Sequence, residues 1–376
     1  MEIYLDNAAT TKVCKEAADA AYECMIQNYG NPSSLHKKGL DAEKAVTAAR
    51  KILADALTCK EEEIIFTAGS TESTIIGIEG YLATQKRGGK TIVTTEIEHS
   101  AVKKTLAVLE KQGYLIKTVS PRENGAYDPM DFAMAVDKDT VLVTVMSVNN
   151  ETGLLLPCDK IGKLIKRANP NVLFHVDATQ ALGKMKLTPS KWGVDMKSFS
   201  GHKIHAPKGI GALYLKKGIR IESPIVGGGQ ESGIRSGTHN VPGIAGFGAA
   251  VKAMLPMMEQ NKTRYEEFIA RIKENLSDLD NIAYNSNEHC VPWIFNLSVI
   301  GYRSEIMLHY LESHGVYVSS GSACSVGKRN GVLASLNIPD NRQDSALRIS
   351  FSHETTMEEI DTFCAILHKA VNELAH

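Results

Sequence analysis

Val172-Leu173-Phe174-His175-Val176-Asp177-Ala178-Thr179-Gln180 is an apolar run that stops on a carboxylate and a cluster of small polar residues. The run reads as a buried strand, and an unpaired carboxylate at its end would be costly. The same figure recurs along the chain. Ile64-Ile65-Phe66-Thr67 leads into Ala68-Gly69-Ser70-Thr71-Glu72-Ser73, and Thr91-Ile92-Val93-Thr94 into Glu96-Ile97-Glu98-His99. Val141 to Val148 leads into Asn149-Asn150-Glu151-Thr152-Gly153, and helical patterns such as Ile161 to Arg167 lie between some of these runs. Buried strands alternating with helices predict an α/β fold, a mainly parallel sheet flanked by helices. Ligands of such sheets sit beyond the carboxyl ends of the strands, so the polar clusters should converge on one rim.

At 376 residues the chain is too long for one average domain. Its 42 basic residues balance 43 acidic ones to a net charge of -1, which gives no electrostatic footprint for nucleic acid or an anionic membrane. No apolar run reads as a membrane span. The start, Met1-Glu2-Ile3-Tyr4-Leu5-Asp6, lacks the basic and apolar parts of a signal peptide, so a cytoplasmic protein is the simplest expectation. The cysteines number 7 and never form a Cys-x-x-Cys pair, which argues against a disulfide framework or a zinc knuckle.

From Asp41 to Leu57 apolar residues recur at helical spacing, and Tyr29-Gly30-Asn31-Pro32-Ser33-Ser34 marks a loop. A long helical region from about Ile244 to Leu276 connects to a smaller α+β domain. That domain holds Phe295 to Val299, Val316 to Ser319, Leu347 to Phe351 and a final helix from Met357, started by Thr356 with Glu358 and Glu359 in its first turn. The expected boundaries are 13–248 for the large domain and 249–376 for the small one, with residues 1–12 packing on the latter.

Lys203 lies in Lys197-Ser198-Phe199-Ser200-Gly201-His202-Lys203-Ile204-His205-Ala206-Pro207-Lys208-Gly209-Ile210-Gly211, among small and polar residues between two apolar runs. A lysine amine in a partly desolvated pocket shifts toward its neutral form and can condense with a carbonyl; taken alone, an exposed turn is the commoner place for a lysine. Ser70 and Thr71 open a helix after a strand, where backbone N–H groups and hydroxyls suit a phosphate, although both are also ordinary helix caps. Asp177 either bonds nearby backbone or holds a cation such as a protonated pyridine nitrogen. His99 is either structural or stacks on a ring and moves protons. Together these four features spell pyridoxal phosphate. The spacing of His99, His175, His202 and His205 fits no standard metal pattern, so no metal is assigned.

Cys324 sits in Ser319-Ser320-Gly321-Ser322-Ala323-Cys324-Ser325-Val326-Gly327-Lys328-Arg329-Asn330-Gly331, small and polar with two cations close behind. Such a setting favours the reactive thiolate; the plain alternative is an incidental cysteine in a surface loop. Arg348 lies in a strand-like run and either grips a carboxylate or forms a structural salt bridge.

Nearly the whole chain resembles the cysteine desulfurases of the NifS/IscS type, class V aminotransferases of the fold-type I pyridoxal phosphate enzymes. The motifs that carry the resemblance are Tyr4 to Thr11, Gly30 to Ser34, Gly69 to Ser73, Glu98-His99, Val148 to Glu151, His175 to Gln180, Ser198 to Lys203, Arg235 to Thr238 and Ser319 to Cys324. The resemblance implies that Lys203 joins the cofactor as a Schiff base, Asp177 pairs with its ring nitrogen and His99 stacks on the ring. It implies phosphate contacts from Ser70, Thr71, Ser200 and His202, with Thr238 reaching across from the other subunit of a homodimer. Asn150 and Gln180 would contact the ring, and Asn150, Arg348 and Asn31 the substrate. The implied reaction takes sulfur from L-cysteine, leaves a persulfide on Cys324 and releases alanine. The sulfur then passes to an acceptor protein such as an iron–sulfur scaffold or a tRNA-thiolation enzyme, and Cys324 is also a candidate transient iron–sulfur ligand. His205-Ala206 stands where Tyr-Gly is more usual, and the chain ends soon after its last helix, where some relatives carry a longer tail for docking a scaffold. Two other readings stay open: a selenocysteine lyase or other β-lyase of the same fold, and a non-catalytic sulfur-relay or scaffold protein.

Overall fold

The computed structural model describes residues 2–85, 88–320 and 331–374. After a two-residue strand, β1 (Ile3–Tyr4), come β2 (Ile64–Thr67), β3 (Thr91–Thr95), β4 (Leu115–Val119), β5 (Thr140–Met146), β6 (Leu173–Asp177), β7 (Met196–Ser200) and β8 (Gly211–Leu215). The last seven form one sheet in the order β2-β8-β7-β6-β5-β3-β4. It is parallel from β4 to β7, while β8 runs antiparallel to both its neighbours. Strands β5 to β8 are buried along their whole length, which is why β5, β6 and β8 read as largely apolar runs rather than alternating ones, whereas β7, Met196-Lys197-Ser198-Phe199-Ser200, does not.

Two ionisable residues lie inside this sheet. His175 is bonded to Thr144 Oγ1 and Ser198 Oγ, both at 2.8 Å, and burial lowers its pKa to about 4. Lys197 Nζ lies 3.9 Å from the centre of the Trp192 ring, and burial lowers its pKa to about 7. Neither lies on the rim.

A second, antiparallel sheet follows. The remaining strands are β9 (Ile282–Tyr284), β10 (Ile294–Val299), β11 (Val316–Tyr317), β12 (Ser319–Ser320) and β13 (Ala346–Ser350), and four of them pair in the order β12-β13-β10-β9. The strand expected over Val316 to Ser319 is therefore two pieces: β11 pairs in parallel with β1, and β12 pairs with β13. The long helical region is also divided. Val241–Met254 and Met258–Asn275 are separated by a 3-10 turn, Leu255–Met257, because Pro256 lacks an N–H and its ring crowds the preceding turn.

By length and hydropathy Val241–Asn275 could cross a membrane, yet half of its most apolar window is buried inside the molecule. Its first part packs on the helices Lys15–Ile26 and Lys37–Leu57. A side chain at Gly248 would stand 2.8 Å from Ala49 Cα, so this glycine sets how closely the helices approach. The segment is a core helix. The final helix, Met357–Glu373, starts on the expected Thr356, which bonds the N–H of Glu359 while the Glu359 carboxylate takes the N–H of Thr356.

Residues 3–12 tie the two sheets together. Ile3 and Tyr4 pair with Val316 and Tyr317, Leu5 accepts from the N–H of Ser350, and Asn7 Nδ2 donates to Ser350 O at 3.0 Å. The strap then crosses to the turn after β7. Thr11 N donates to His202 O at 2.9 Å, His205 N to Thr11 Oγ1 at 2.7 Å, and Cys14 N to His205 O at 3.0 Å. The segment expected to pack on the small domain thus also grips the turn after β7 in the large sheet.

The buried His205 sits at a φ of 61°, with Nδ1 2.8 Å from Lys12 O and Nε2 3.3 Å from His353 Nδ1. Burial, then His353, lowers the His205 pKa to about 3; burial lowers His353 as well, against Glu354 and Glu16. Lys12, Lys184 and Arg264 also face the pair. A native pKa below the unfolded one, roughly 6.5, leaves stability whole above that pH and drains it as pH falls toward the native value. At 1.36 kcal/mol per pH unit, the wild type should lose about 2 kcal/mol more than His205→Tyr between about pH 6.5 and about pH 5. Urea unfolding measures this, and equal losses would show that the pair does not carry the acid sensitivity. In the same assay Gly211→Ala should cost about 1–3 kcal/mol by overpacking. A Cβ there would stand 2.4 Å from Phe199 O and 2.6 Å from Gly69 Cα.

Candidate active site

The carboxyl ends of β5, β6 and β7 open into a cavity of about 960 Å³. Ser70, Thr71, His99, Asn150, Asp177, Gln180, Ser200, His202, Lys203 and Arg348 all line it, so ten of the expected site residues meet in one place. The other three do not line it. Asn31 is exposed on a turn where its Oδ1 accepts from Ser33 N, and Thr238 is exposed on the loop before Val241. Cys324 lies outside the described residues.

Lys203 follows β7 on a single 3-10 turn, and its Nζ donates to Ala8 O and Ala9 O, both at 2.6 Å. Burial, then Arg348, lowers its pKa to about 8, while Asp6 and Asp177 pull the other way. The amine is thus anchored, with a neutral fraction available near neutral pH. Asp177 ends β6, and its Oδ1 takes both the N–H and the hydroxyl of Thr179. Its other oxygen takes no hydrogen bond among the described residues, which leaves a partnerless carboxylate oxygen on the cavity wall. Gln180 Nε2 donates to Ala8 O at 2.9 Å, and its Oε1 is buried without a partner among the described residues.

The helix Ser70–Thr84 begins after Gly69, which has no side chain to cap it. Its first N–H groups therefore point outward with the positive end of the helix dipole, beside Ser200 and His202. His202 Nδ1 lies 3.1 Å from Thr10 Oγ1, and burial together with Lys203, Lys208 and Lys184 lowers its pKa to about 4. His99 caps the helix Ser100–Lys111 by accepting from Ala101 N at 3.1 Å. That bond places the ring proton of the neutral form on Nε2, and partial burial with Lys203 and Lys103 keeps its pKa low. Both histidines are uncharged at neutral pH.

On the far wall Arg348 comes from β13. Its Nη2 donates to Asp6 Oδ1 at 2.6 Å and its Nη1 to Asn150 O at 2.9 Å, while Nε is buried without a partner among the described residues. The ion pair with Asp6 is present, and Nε is left as a donor with no partner among the described residues. The loop after β5 is held by Asn149 Oδ1, which accepts from the N–H groups of Glu151 and Thr152 at 2.9 Å. Glu151 also lines the cavity, and burial raises its pKa to about 7 against Arg348 and Lys103.

Sequence reasoning missed the contributions of Asp6, of the Ala8 and Ala9 carbonyls, and of Glu151. The first three belong to the motif Tyr4 to Thr11, which was legible as a motif, but their partners lie far off in sequence, Lys203 about half the chain away and Arg348 nearly all of it. Glu151 had a local signal, a carboxylate in a polar strand-end cluster.

The aminotransferase class-V family matches residues 3–363. A relative from Dictyoglomus turgidum named cysteine desulfurase IscS is 36% identical over 99% of this chain and 95% of its own length. A solved NifS-like protein superposes with a TM-score of 0.94 at 33% identity, covering 100% of both chains. A second solved structure, SspA in complex with cysteine, has a TM-score of 0.81 at 29% identity and covers 93% of this chain and 99% of that one. Taken with a mainly parallel sheet whose strand ends gather Lys203, Asp177 and an uncapped helix, these likenesses place the chain in the aminotransferase class-V family.

Proposed function

We propose that this protein is a pyridoxal-phosphate-dependent cysteine desulfurase, which takes sulfur from L-cysteine, leaves a persulfide on Cys324 and releases L-alanine. One observation carries the reading. Lys203 shares a cavity with three residues that each carry a polar atom without a hydrogen-bond partner among the described residues: Asp177 with its second carboxylate oxygen, Gln180 with Oε1 and Arg348 with Nε. The relatives' names and the cysteine complex of SspA support both the activity and the substrate.

Pyridoxal phosphate matches this donor and acceptor set. The helix end with Ser70, Thr71, Ser200 and His202 would hold its phosphate, Asp177 its protonated ring nitrogen and Gln180 Oε1 its ring hydroxyl. When bound, the cofactor supplies an aldehyde and a ring that accepts an electron pair. Everything else falls to the chain's own residues. Lys203, part neutral at physiological pH, can bond to a carbonyl carbon and, once freed, move a proton. His99 presents Nε2–H to the cavity and can stack or relay a proton without bringing a competing charge. Arg348, whose Nε–H has no partner among the described residues, would orient a carboxylate. The Cys324 thiolate attacks the substrate sulfur, so an S–S bond forms as the C–S bond breaks. The bonding pair stays with the substrate carbon, and a proton delivered there completes alanine.

Ser320, which lines the cavity, lies four residues before Cys324. We also propose a homodimer. The helix ends around residues 22–35 expose Tyr22, Met25, Ile26, Tyr29 and Leu35, and Val226 is exposed too, surface that a second subunit would cover. Thr238 and Asn31, outside this chain's own cavity, would then be free to serve the partner's. The acceptor would be a cytoplasmic iron–sulfur scaffold or tRNA-thiolation enzyme.

Two variants test the reading. Cys324→Ala should keep its yellow cofactor while sulfide release from L-cysteine with a reducing thiol falls at least about a hundredfold. Unchanged turnover would overturn the persulfide route. Borohydride should fix the cofactor covalently to the wild type but not to Lys203→Ala; fixation in both would remove Lys203 from its role.

A further inference from the structure

The ion pair between Asp6 and the cavity-lining Arg348 is the least expected contact beside the site, because it sets a carboxylate on the arginine proposed to recognise the substrate carboxylate. It is built into the backbone. Leu5 and Asn7 flank Asp6, and both bond Ser350, so Asp6 lies opposite Ser350 in a parallel bridge. Arg348 stands two residues earlier on the same strand and therefore faces the same side. The Nη2 to Asp6 Oδ1 distance is 2.6 Å, and the two side chains are 8% and 21% exposed. Asn150 O takes Nη1 at 2.9 Å. Two of the three guanidinium nitrogens are spoken for, and Nε has no partner among the described residues.

We infer that Asp6 is a positioning residue for substrate recognition: it holds one end of the Arg348 guanidinium so that the Nε edge is left to the substrate carboxylate. The inference rests on the amino-acid substrate proposed above. Two opposed effects follow from it. Asp6 orients Arg348, which favours binding, and its negative charge repels an incoming carboxylate, which opposes binding. The two can be separated, because asparagine keeps the acceptor oxygen and removes the charge, whereas alanine removes both.

The test is calorimetric titration of the holoenzyme with L-alanine, the proposed product, and with ethylamine, the same amine without its carboxylate. Any change at the shared amine site cancels in the ratio of the two affinities. In Asp6→Asn the preference for L-alanine over ethylamine should rise about tenfold, and in Asp6→Ala it should fall about tenfold. An unchanged ratio in both variants, or a shift in the same direction in both, overturns the inference while leaving the proposed function intact. If Asp6→Ala fails to fold, a rise in Asp6→Asn still supports the inference and its absence still overturns it. If the wild type itself shows no preference for L-alanine, the carboxylate site at Arg348 is wrong, and the inference falls with it.

Discussion

The site depends on two backbone carbonyls. Ala8 O and Ala9 O hold the Lys203 amine at 2.6 Å each, and they can do so only because residues 3–12 are fixed at both ends. At one end the strap is sewn to β11 and β13, at the other to the turn that carries His202, Lys203 and His205. A buried amine needs acceptors, and a buried backbone carbonyl needs donors; here each satisfies the other. The same strap supplies Asp6 to Arg348 and Ala8 O to Gln180. One short segment therefore sets the relative positions of Lys203, the Gln180 amide and Arg348, which are carried by two different sheets and the turns that follow their strands.

The electrostatics follow from that geometry. Lys203 sits between Arg348, which lowers its pKa, and Asp6 and Asp177, which raise it, with burial the largest influence. The surrounding histidines are kept uncharged, His202 near 4 and His99 below its usual range, so they add no positive charge beside the amine. The negative groups are divided too. Asp6 is paired with Arg348 and Asp177 is half satisfied by Thr179, which leaves Glu151, with no pairing side chain of its own among the described residues and a pKa near 7, as the wall's readily titrating acid.

The large sheet was legible because most of its buried strands are largely apolar and end abruptly on polar residues. Asp177, Ser70, Thr71 and His99 stand at such breaks, and Lys203 lies just past one. The small sheet was harder to read. Val316 to Ser319 looks like one strand, but Val318 lies between two partners, β1 and β13, and the run divides there. The break at Pro256 was visible as a proline, yet the apolar spacing runs across it. Least legible was the strap. Its residues carry no periodicity, and their hydrogen bonds reach across roughly the whole chain, so nothing local announces that Asp6 meets Arg348.

The claim that residues 3–12 are a structural tie rather than a loose terminus can be measured by native-state hydrogen exchange. The N–H groups of Leu5, Ala8 and Thr11 donate to Tyr317 O, Ser350 Oγ and His202 O. They should exchange as slowly as the central strands β5 and β6, opening only with the whole molecule. Exchange at the rate of a frayed end, with the rest of the chain protected, would contradict the account.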